Sequence, residues 1–156
     1  MKKERIPSLE AMDRFSENFK ATYLHSAEKR THATVLALFG DLGSGKTTFV
    51  RSLAHHFGIS SRVTSPTFVI EKRYAVSKPN EIFRKLIHID AYRLDGAHDE
   101  DTLLLEETLA DPQNLLCIEW PENIKDLEAD HELFFEFVDD HTRTVSFDEC
   151  EKKPGK

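Results

Sequence analysis

The stretch that decides the fold is GDLGSGKT at residues 40–47, which fits the pattern G-x-x-x-x-G-K-[ST] of phosphate-binding loops. An unbroken apolar run, Val35 to Phe39, precedes this loop and indicates a buried parallel strand. After the loop, apolar residues recur at helical spacing, namely Phe49, Val50, Leu53, Ala54 and Phe57. A strand, a glycine-rich loop and a helix in this order favour a phosphate site over a chance glycine-rich turn.

Each residue type in the loop has a chemical reason to be there. The glycines allow dihedrals that other residues avoid, and they let the backbone approach a phosphate closely. Successive N–H groups and the N-terminus of the following helix then form a cradle for an anion. Lys46 places a positive charge beside the outer phosphates, and Thr47 offers a hydroxyl to Mg²⁺. The sequence therefore predicts a site for a nucleotide with its Mg²⁺ ion.

Length and composition limit the class of protein. At 156 residues the chain is expected to form one domain over residues 1–148, followed by a flexible tail at 149–156. A formal net charge of −7 argues against tight binding of nucleic acid by this chain alone. The sequence has two cysteines, no stretch of membrane-spanning length and no signal-peptide run. These features predict a cytoplasmic location and no membrane partner.

Two further apolar segments end near a carboxylate. Residues 85–90, KLIHID, are predicted to form a strand ending at Asp90, and residues 115–120, LLCIEW, a strand ending near Glu119. Parallel sheets collect their chemistry at the carboxyl ends of their strands, so both acids are expected near the loop, where they would orient Mg²⁺ or water. Capping of the following turn is the alternative for Asp90. Trp120 is either a packing residue or a cover for the ligand.

The remaining segments complete the predicted fold. Ser8 is expected to cap a helix whose buried face is formed by Leu9, Met12, Phe15, Phe19 and Tyr23. A second helix is expected to open with the acids of residues 99–101 and to bury Leu104, Leu105 and Leu109. Residues 133–138 and 144–147 alternate in polarity and predict an antiparallel hairpin. Arg143 begins its second strand, where it either reaches the ligand or is an ordinary surface arginine.

Four motifs occur in a fixed order, and together they resemble one family. They are GDLGSGKTTF at residues 40–49, SPTF at 65–68, HIDAYRL at 88–94 and IEWPE at 118–122. The set is similar to the TsaE (YjeE) family, bacterial ATPases of tRNA threonylcarbamoyladenosine biosynthesis, over about residues 7–147. The resemblance implies an α/β fold of the P-loop NTPase type with three layers, a mostly parallel central sheet and a C-terminal antiparallel hairpin.

The resemblance also implies roles for individual residues. The ATP phosphates would be bound by Gly43, Ser44, Gly45, Lys46, Thr47 and Thr48. Mg²⁺ would be held by Thr47 and Glu119, and the nucleotide would also be contacted by Arg143. The catalytic residues would be Lys46, Asp90 and Glu119, with Asp90 the essential acid of the H-x-D-x-Y-R motif.

The implied activity is slow ATP hydrolysis in a complex with the proteins TsaD and TsaB, and this chain would meet tRNA only through that complex. Two other functions fit the residues: a small nucleotide or metabolite kinase, and a non-catalytic module whose ATP state controls assembly. Arg93 is a candidate arginine finger, and Ser65-Pro66-Thr67 is either an ordinary turn or a nucleotide-sensing loop. The N-terminal helix departs from the family pattern, since Met12 and its neighbours replace a polar residue near the adenine.

Overall fold

The computed structural model describes residues 1–25, 30–64, 71–78, 81–92 and 99–148, with the backbone alone over 99–104. The elements along the chain are β1 (Lys2–Ile6), α1 (Leu9–Tyr23), β2 (Thr34–Phe39), α2 (Lys46–His56), β3 (Glu71–Ala75), β4 (Lys85–Asp90), α3 (Asp99–Ala110), β5 (Asn114–Glu119), a 3₁₀ turn (Pro121–Asn123), β6 (His131–Phe137) and β7 (Arg143–Phe147). The predicted strands around Asp90 and Glu119 and the C-terminal hairpin are therefore confirmed. The SPTF motif, Arg93 and the expected tail lie outside the described residues.

In the described part of the chain, the strands form one sheet of seven in the order β1-β7-β6-β2-β5-β4-β3. The four neighbours β6, β2, β5 and β4 run parallel, as expected for a central strand that feeds a glycine loop. The pairings of β1 with β7, β6 with β7 and β3 with β4 are antiparallel. The sheet is therefore mixed rather than mostly parallel, because within the described residues half of its pairings are antiparallel.

Helices cover both faces of the sheet and give three layers. On one face, Phe15 of α1 and Phe49 of α2 pack with Leu36 of β2 in a continuous apolar core. On the other face, Leu105 and Leu109 of α3 pack against a smaller core formed by Ala33, Val35, Ile87, Ile89, Leu116 and Ile118. The two cores use alternate residues of the same strands, which is the pattern of a sheet buried on both sides.

The helix α1 begins as predicted but buries a narrower face. The hydroxyl of Ser8 accepts a hydrogen bond from the Ala11 N–H at 3.1 Å, which caps the first turn. Phe15 and Phe19 pack edge-on against Phe147 of β7. The prediction that Leu9 is buried is wrong, since its side chain is 75% exposed. The first turn of α1 borders an open cleft rather than the sheet, so Leu9 lines that cleft.

The N-terminal strand β1 was not foreseen. It reads KKERI, and Ile6 is its one buried residue. It nevertheless pairs with β7 over all five residues, from Lys2 opposite Phe147 to Ile6 opposite Arg143. The strand lies at the edge of the sheet, where its charged residues discourage pairing with other chains.

No helix in the described ranges is long and apolar enough to cross a membrane.

The close approach of Gly40 to β6 gives a test of the fold. Gly40 has a φ of +146°, and a Cβ atom there would lie 2.5 Å from the Phe135 carbonyl oxygen. Gly43 has a φ of +76° but open space around it. Gly43→Ala is expected to lower the free energy of unfolding by about 1–2 kcal/mol through backbone strain alone. Gly40→Ala is expected to cost about 1–3 kcal/mol more because of the clash. Urea denaturation measures both, and equal losses would contradict the packing of Gly40 on β6.

Candidate functional site

The glycine loop leads from the end of β2 into α2. Gly45 occupies the N-cap position with a φ of 108°, and no side chain caps the helix. The first N–H groups of a helix have no partners within it, so those of Lys46 and its neighbours are available to a ligand. Within the loop, the Ser44 N–H donates to the Asp41 carbonyl at 3.2 Å. The Ser44 hydroxyl is buried and has no partner within the described residues. The loop therefore presents unused donors at the positive end of a helix, which is an arrangement suited to an anion.

The two predicted metal ligands lie in direct contact. Thr47 is in the first turn of α2, and Glu119 ends β5, which pairs in parallel with β2. The Thr47 hydroxyl donates to Glu119 Oε1 at 3.1 Å and lies 3.3 Å from Oε2. Glu119 is only 4% exposed. A hydroxyl and a carboxylate, the kinds of oxygen that a hard metal ion prefers, are thus held side by side at the start of the helix.

Lys46 is buried against the loop and an aromatic ring. Its Nζ donates to the Gly40 carbonyl oxygen and lies 4.1 Å from the centroid of the Trp120 ring. Burial lowers the pKa of Lys46, and the nearby carboxylates act in the opposite direction, led by Glu119 and followed by Asp90, Glu122 and Asp41. A cation on an aromatic face is stabilised by the ring quadrupole. The ammonium group therefore has partners in this structure, and a ligand has to replace them.

Asp90 caps the following turn and also borders the cleft. The register of β4 and β5 places it beside Glu119. Its Oδ1 accepts a hydrogen bond from the Tyr92 N–H at 3.0 Å, which is the expected cap of the following turn. The same carboxylate borders the cleft beside the loop. The turn thus fixes the orientation of Asp90 without removing it from the site.

Trp120 follows Glu119 in a left-handed backbone conformation, with a φ of 57°. This conformation is uncommon for a non-glycine residue and often marks a functional position. The indole ring packs against Tyr92, with 5.1 Å between centroids, and against Lys46. Tyr92 is itself 56% exposed. Trp120 is therefore at the border of the cleft rather than in either apolar core.

Arg143 contacts the glycine loop directly. Its Nε donates to the Gly43 carbonyl at 2.9 Å, and Nη1 donates to the carbonyls of Asp139 at 2.6 Å and Thr142 at 3.1 Å. The guanidinium lies 4.5 Å from the Phe137 ring centroid. These contacts place Arg143 in the site and not among ordinary surface arginines. They also link the β6–β7 hairpin to the loop.

All the predicted site residues border one cleft, with a volume of about 840 Å³. The cleft is lined by the loop, the ends of β4 and β5, the first turn of α1 and the β6–β7 turn. Its predicted members are Gly43, Ser44, Gly45, Lys46, Thr47, Thr48, Asp90, Glu119 and Arg143. Met12 also lines it, together with Leu9 and Pro7. Ligand pockets have volumes of about 300–1,000 Å³, so the space suits a nucleotide-sized ligand.

One polar residue beside the site, His88, was placed on the Asp90 face of its strand by the sequence but was given no role. His88 Nε2 lies 2.6 Å from Glu119 Oε2, and the ring is fully buried. The available signal was the alternation of β4, which puts His88 on the same face as Asp90. That signal gave the face but not the partner, because the partner is on a different strand.

The fold and the cleft together define a class: a mixed α/β protein that presents a glycine-rich anion loop beside a buried strand-end carboxylate. A sequence model of the family described as "Threonylcarbamoyl adenosine biosynthesis protein TsaE" matches residues 6–145. The chain therefore belongs to the TsaE family. This agrees with the resemblance seen in the four motifs.

Individual relatives agree with this assignment. The tRNA threonylcarbamoyladenosine biosynthesis protein TsaE of Synechocystis is 30% identical over 126 residues, which cover 80% of this chain and 73% of that protein. The TsaE of Streptomyces coelicolor is 39% identical over 98 residues, or 62% of this chain and 63% of that protein. The crystal structure of YdiB from Bacillus subtilis superposes with a TM-score of 0.65 at 26% identity and covers 94% of this chain and 83% of that one.

The contact between Lys46 and Trp120 provides an optical test of the anion site. Trp120 is the one tryptophan in the sequence. An anion that draws the Lys46 ammonium off the indole changes the surroundings of the ring. Titration with inorganic tripolyphosphate is therefore expected to change the tryptophan emission. Lys46→Met is expected to abolish the response, and Lys125→Met, at an exposed position, to preserve it. An equal response in the Lys46 variant would contradict this site.

Proposed function

We propose that this chain binds ATP with Mg²⁺ in the cleft and hydrolyses it slowly, and that hydrolysis supports threonylcarbamoylation of tRNA by the proteins TsaD and TsaB. The observation that carries the proposal is the contact of the Thr47 hydroxyl with the Glu119 carboxylate, at 3.1 and 3.3 Å. This contact joins the glycine loop to the strand end where a metal ion and a phosphate chain would meet.

The loop residues provide the phosphate contacts. The open N–H groups at the start of α2 and the unpartnered Ser44 hydroxyl are donors for phosphate oxygens. Lys46 supplies the positive charge. Gly43 and Gly45 have positive φ angles and no side chain, so the backbone of the loop can approach a phosphate closely. These features support the proposed P-loop NTPase site.

The residues present fit a Mg²⁺ ion. Mg²⁺ prefers oxygen ligands, keeps several waters and takes one or two protein ligands beside the substrate phosphates. Thr47 and Glu119 supply such a pair, since their oxygens lie within 3.3 Å of each other. When bound, the ion neutralises charge that develops on the phosphates during transfer. Glu119 also holds the Thr47 side chain in the orientation that faces the ion.

The charge of the cleft favours a metal-bound nucleotide over a free one. Among the described lining residues, Lys46 and Arg143 are the cations, whereas Asp90, Glu119, Glu10 and Asp140 contribute carboxylates. A polyphosphate that enters without a divalent cation meets more negative than positive charge. At an effective dielectric constant of 20, two like charges 4 Å apart repel by about 4 kcal/mol. Mg²⁺ is therefore expected to tighten nucleotide binding, with weaker binding remaining in its absence.

Asp90 is the residue that we assign to the attacking water. Its carboxylate borders the cleft beside Glu119, and the Tyr92 N–H fixes one of its oxygens. A carboxylate held in this way accepts a hydrogen bond from a water molecule. It thereby turns a lone pair of the water oxygen toward the terminal phosphate. Lys46 lies close enough to Asp90 and Glu119 to be influenced by both charges. The three catalytic residues thus act as one electrostatic unit.

Slow intrinsic hydrolysis has a structural basis. Among the described residues, Arg143 is the arginine that lines the cleft, and its side chain is already bonded to the carbonyls of Gly43, Asp139 and Thr142. Its Nε and Nη1 groups are therefore engaged by the backbone, which holds the guanidinium against the loop and leaves Nη2 as the nitrogen that these bonds do not use. An arginine supplied by a partner raises the rate of such sites by about 10³–10⁵-fold. This supports a role in which the partner complex controls hydrolysis.

The tRNA connection rests on the family. The relatives are named as tRNA threonylcarbamoyladenosine biosynthesis proteins. The net charge of −7 makes independent tRNA binding unfavourable, so the proposal has the RNA held by the partners. Because this chain aligns with only 63% of the length of the Streptomyces relative, the partners and the overall reaction are proposed and do not follow from the alignment.

The proposal is tested by ATP hydrolysis with and without TsaD, TsaB and tRNA. Asp90→Asn and Glu119→Gln are expected to lower the hydrolysis rate by roughly 10²-fold or more, with far-ultraviolet circular dichroism unchanged. Glu132→Gln, at an exposed position on β6, is the matched control and is expected to hydrolyse at the wild-type rate. Phosphate release is expected to rise when the partners are added.

Three outcomes would contradict the proposal. Wild-type turnover in either variant would show that the substituted residue is not needed for hydrolysis. Transfer of phosphate to a small molecule instead of water would indicate a kinase. Multiple-turnover tRNA modification by the partners with a hydrolysis-deficient, ATP-binding variant would indicate a module that works by binding alone.

A further inference from the structure

His88 lies within β4, and its side chain is completely buried. Its Nε2 is 2.6 Å from Glu119 Oε2, while Nδ1 has no hydrogen-bond partner in the described part of the chain. The Glu119 side chain is only 6% exposed. The imidazole and the carboxylate therefore form a buried pair directly beneath the cleft.

Packing alone does not explain an imidazole at this position. A leucine or phenylalanine would fill similar space without burying a ring nitrogen that lacks a partner. The neighbouring positions on the same face of β4 and β5 are the apolar Leu86, Leu115 and Cys117. A polar ring among them requires a reason, and the hydrogen-bond contact that the described residues give it is with the Glu119 carboxylate.

We propose that His88 is a positioning residue that fixes the orientation of the Glu119 carboxylate toward Thr47 and the metal ion. This inference rests on the proposed function, in which Glu119 is a metal ligand. Histidine and carboxylate partners outside the coordination sphere commonly orient a ligand, and their loss weakens metal affinity by about 10–100-fold. Here the histidine is the outer partner and the carboxylate is the ligand.

The geometry shows how the orientation is fixed. The Thr47 hydroxyl lies 3.1 Å from Oε1 and 3.3 Å from Oε2 of Glu119, and His88 Nε2 lies 2.6 Å from Oε2. With Nε2 carrying the ring proton, His88 donates to Oε2 and prevents the carboxylate from rotating away from α2. The ring itself is held because β4 pairs with both β5 and β3. A rigid strand thus determines where the metal ligand points.

The test separates this role from a purely structural one. Binding of the non-hydrolysable analogue AMP-PNP is measured by calorimetry over a range of Mg²⁺ concentrations, and ADP binding is measured without Mg²⁺. The variants are His88→Leu, His88→Gln and His88→Asn. Glutamine carries its amide nitrogen about as far from Cα as Nε2, whereas asparagine reaches only as far as Nδ1. The matched control is His56→Leu, which removes a histidine–carboxylate contact of 3.0 Å to Asp13, outside the cleft.

His88→Leu and His88→Asn are expected to raise the Mg²⁺ concentration for half-maximal binding by about 10–100-fold, with Mg²⁺-free ADP binding unchanged. His88→Gln is expected to remain close to wild type, and so is His56→Leu. Equal Mg²⁺ dependence in the glutamine and asparagine variants would overturn the inference, and this comparison decides the matter even if the leucine variant does not fold. Absence of any Mg²⁺-dependent binding in the wild type would instead overturn the proposed function, and the inference with it.

Discussion

The buried carboxylate of Glu119 is the point on which the site depends. A carboxylate removed from water is unfavourable unless donors surround it, and here the donors come from two different elements. Thr47 belongs to the helix after the loop, and His88 belongs to the neighbouring strand. The loop, β4 and β5 must therefore keep a fixed relation to one another for this charge to remain buried.

Strand register provides that fixed relation. Glu119 is opposite Leu38 on one side and Asp90 on the other, so three parallel strands end at the same edge of the sheet. A slip of one residue in β5 would turn Glu119 to the opposite face, among the apolar side chains beneath α3. The burial of alternate residues on both faces opposes such a slip. The apolar cores and the polar site are thus specified by the same pairing.

The features that are local in sequence were predictable, and those that depend on distant contacts were not. The glycine loop, β2, α2 and the hairpin followed from short motifs and from periodicity, and the strand-end acids Asp90 and Glu119 followed from apolar runs. The strand β1 was missed because its partner, β7, lies at the other end of the chain. Leu9 was misplaced because periodicity gives the face of a helix but not how far the sheet extends beneath it. The contact of His88 with Glu119 required the register of two strands, which no pattern in either strand reveals.

The position of Lys46 has a consequence for ligand selectivity. Its ammonium group is already engaged by a carbonyl oxygen of the loop and by the face of Trp120. Binding is therefore an exchange reaction, in which the incoming anion has to compensate for both lost contacts. A single phosphate group replaces them less well than a chain of phosphates, which spans the helix start and the ammonium together. For the ATP binding proposed above, the loop is therefore expected to favour a chain of phosphates over orthophosphate, whatever base or sugar follows.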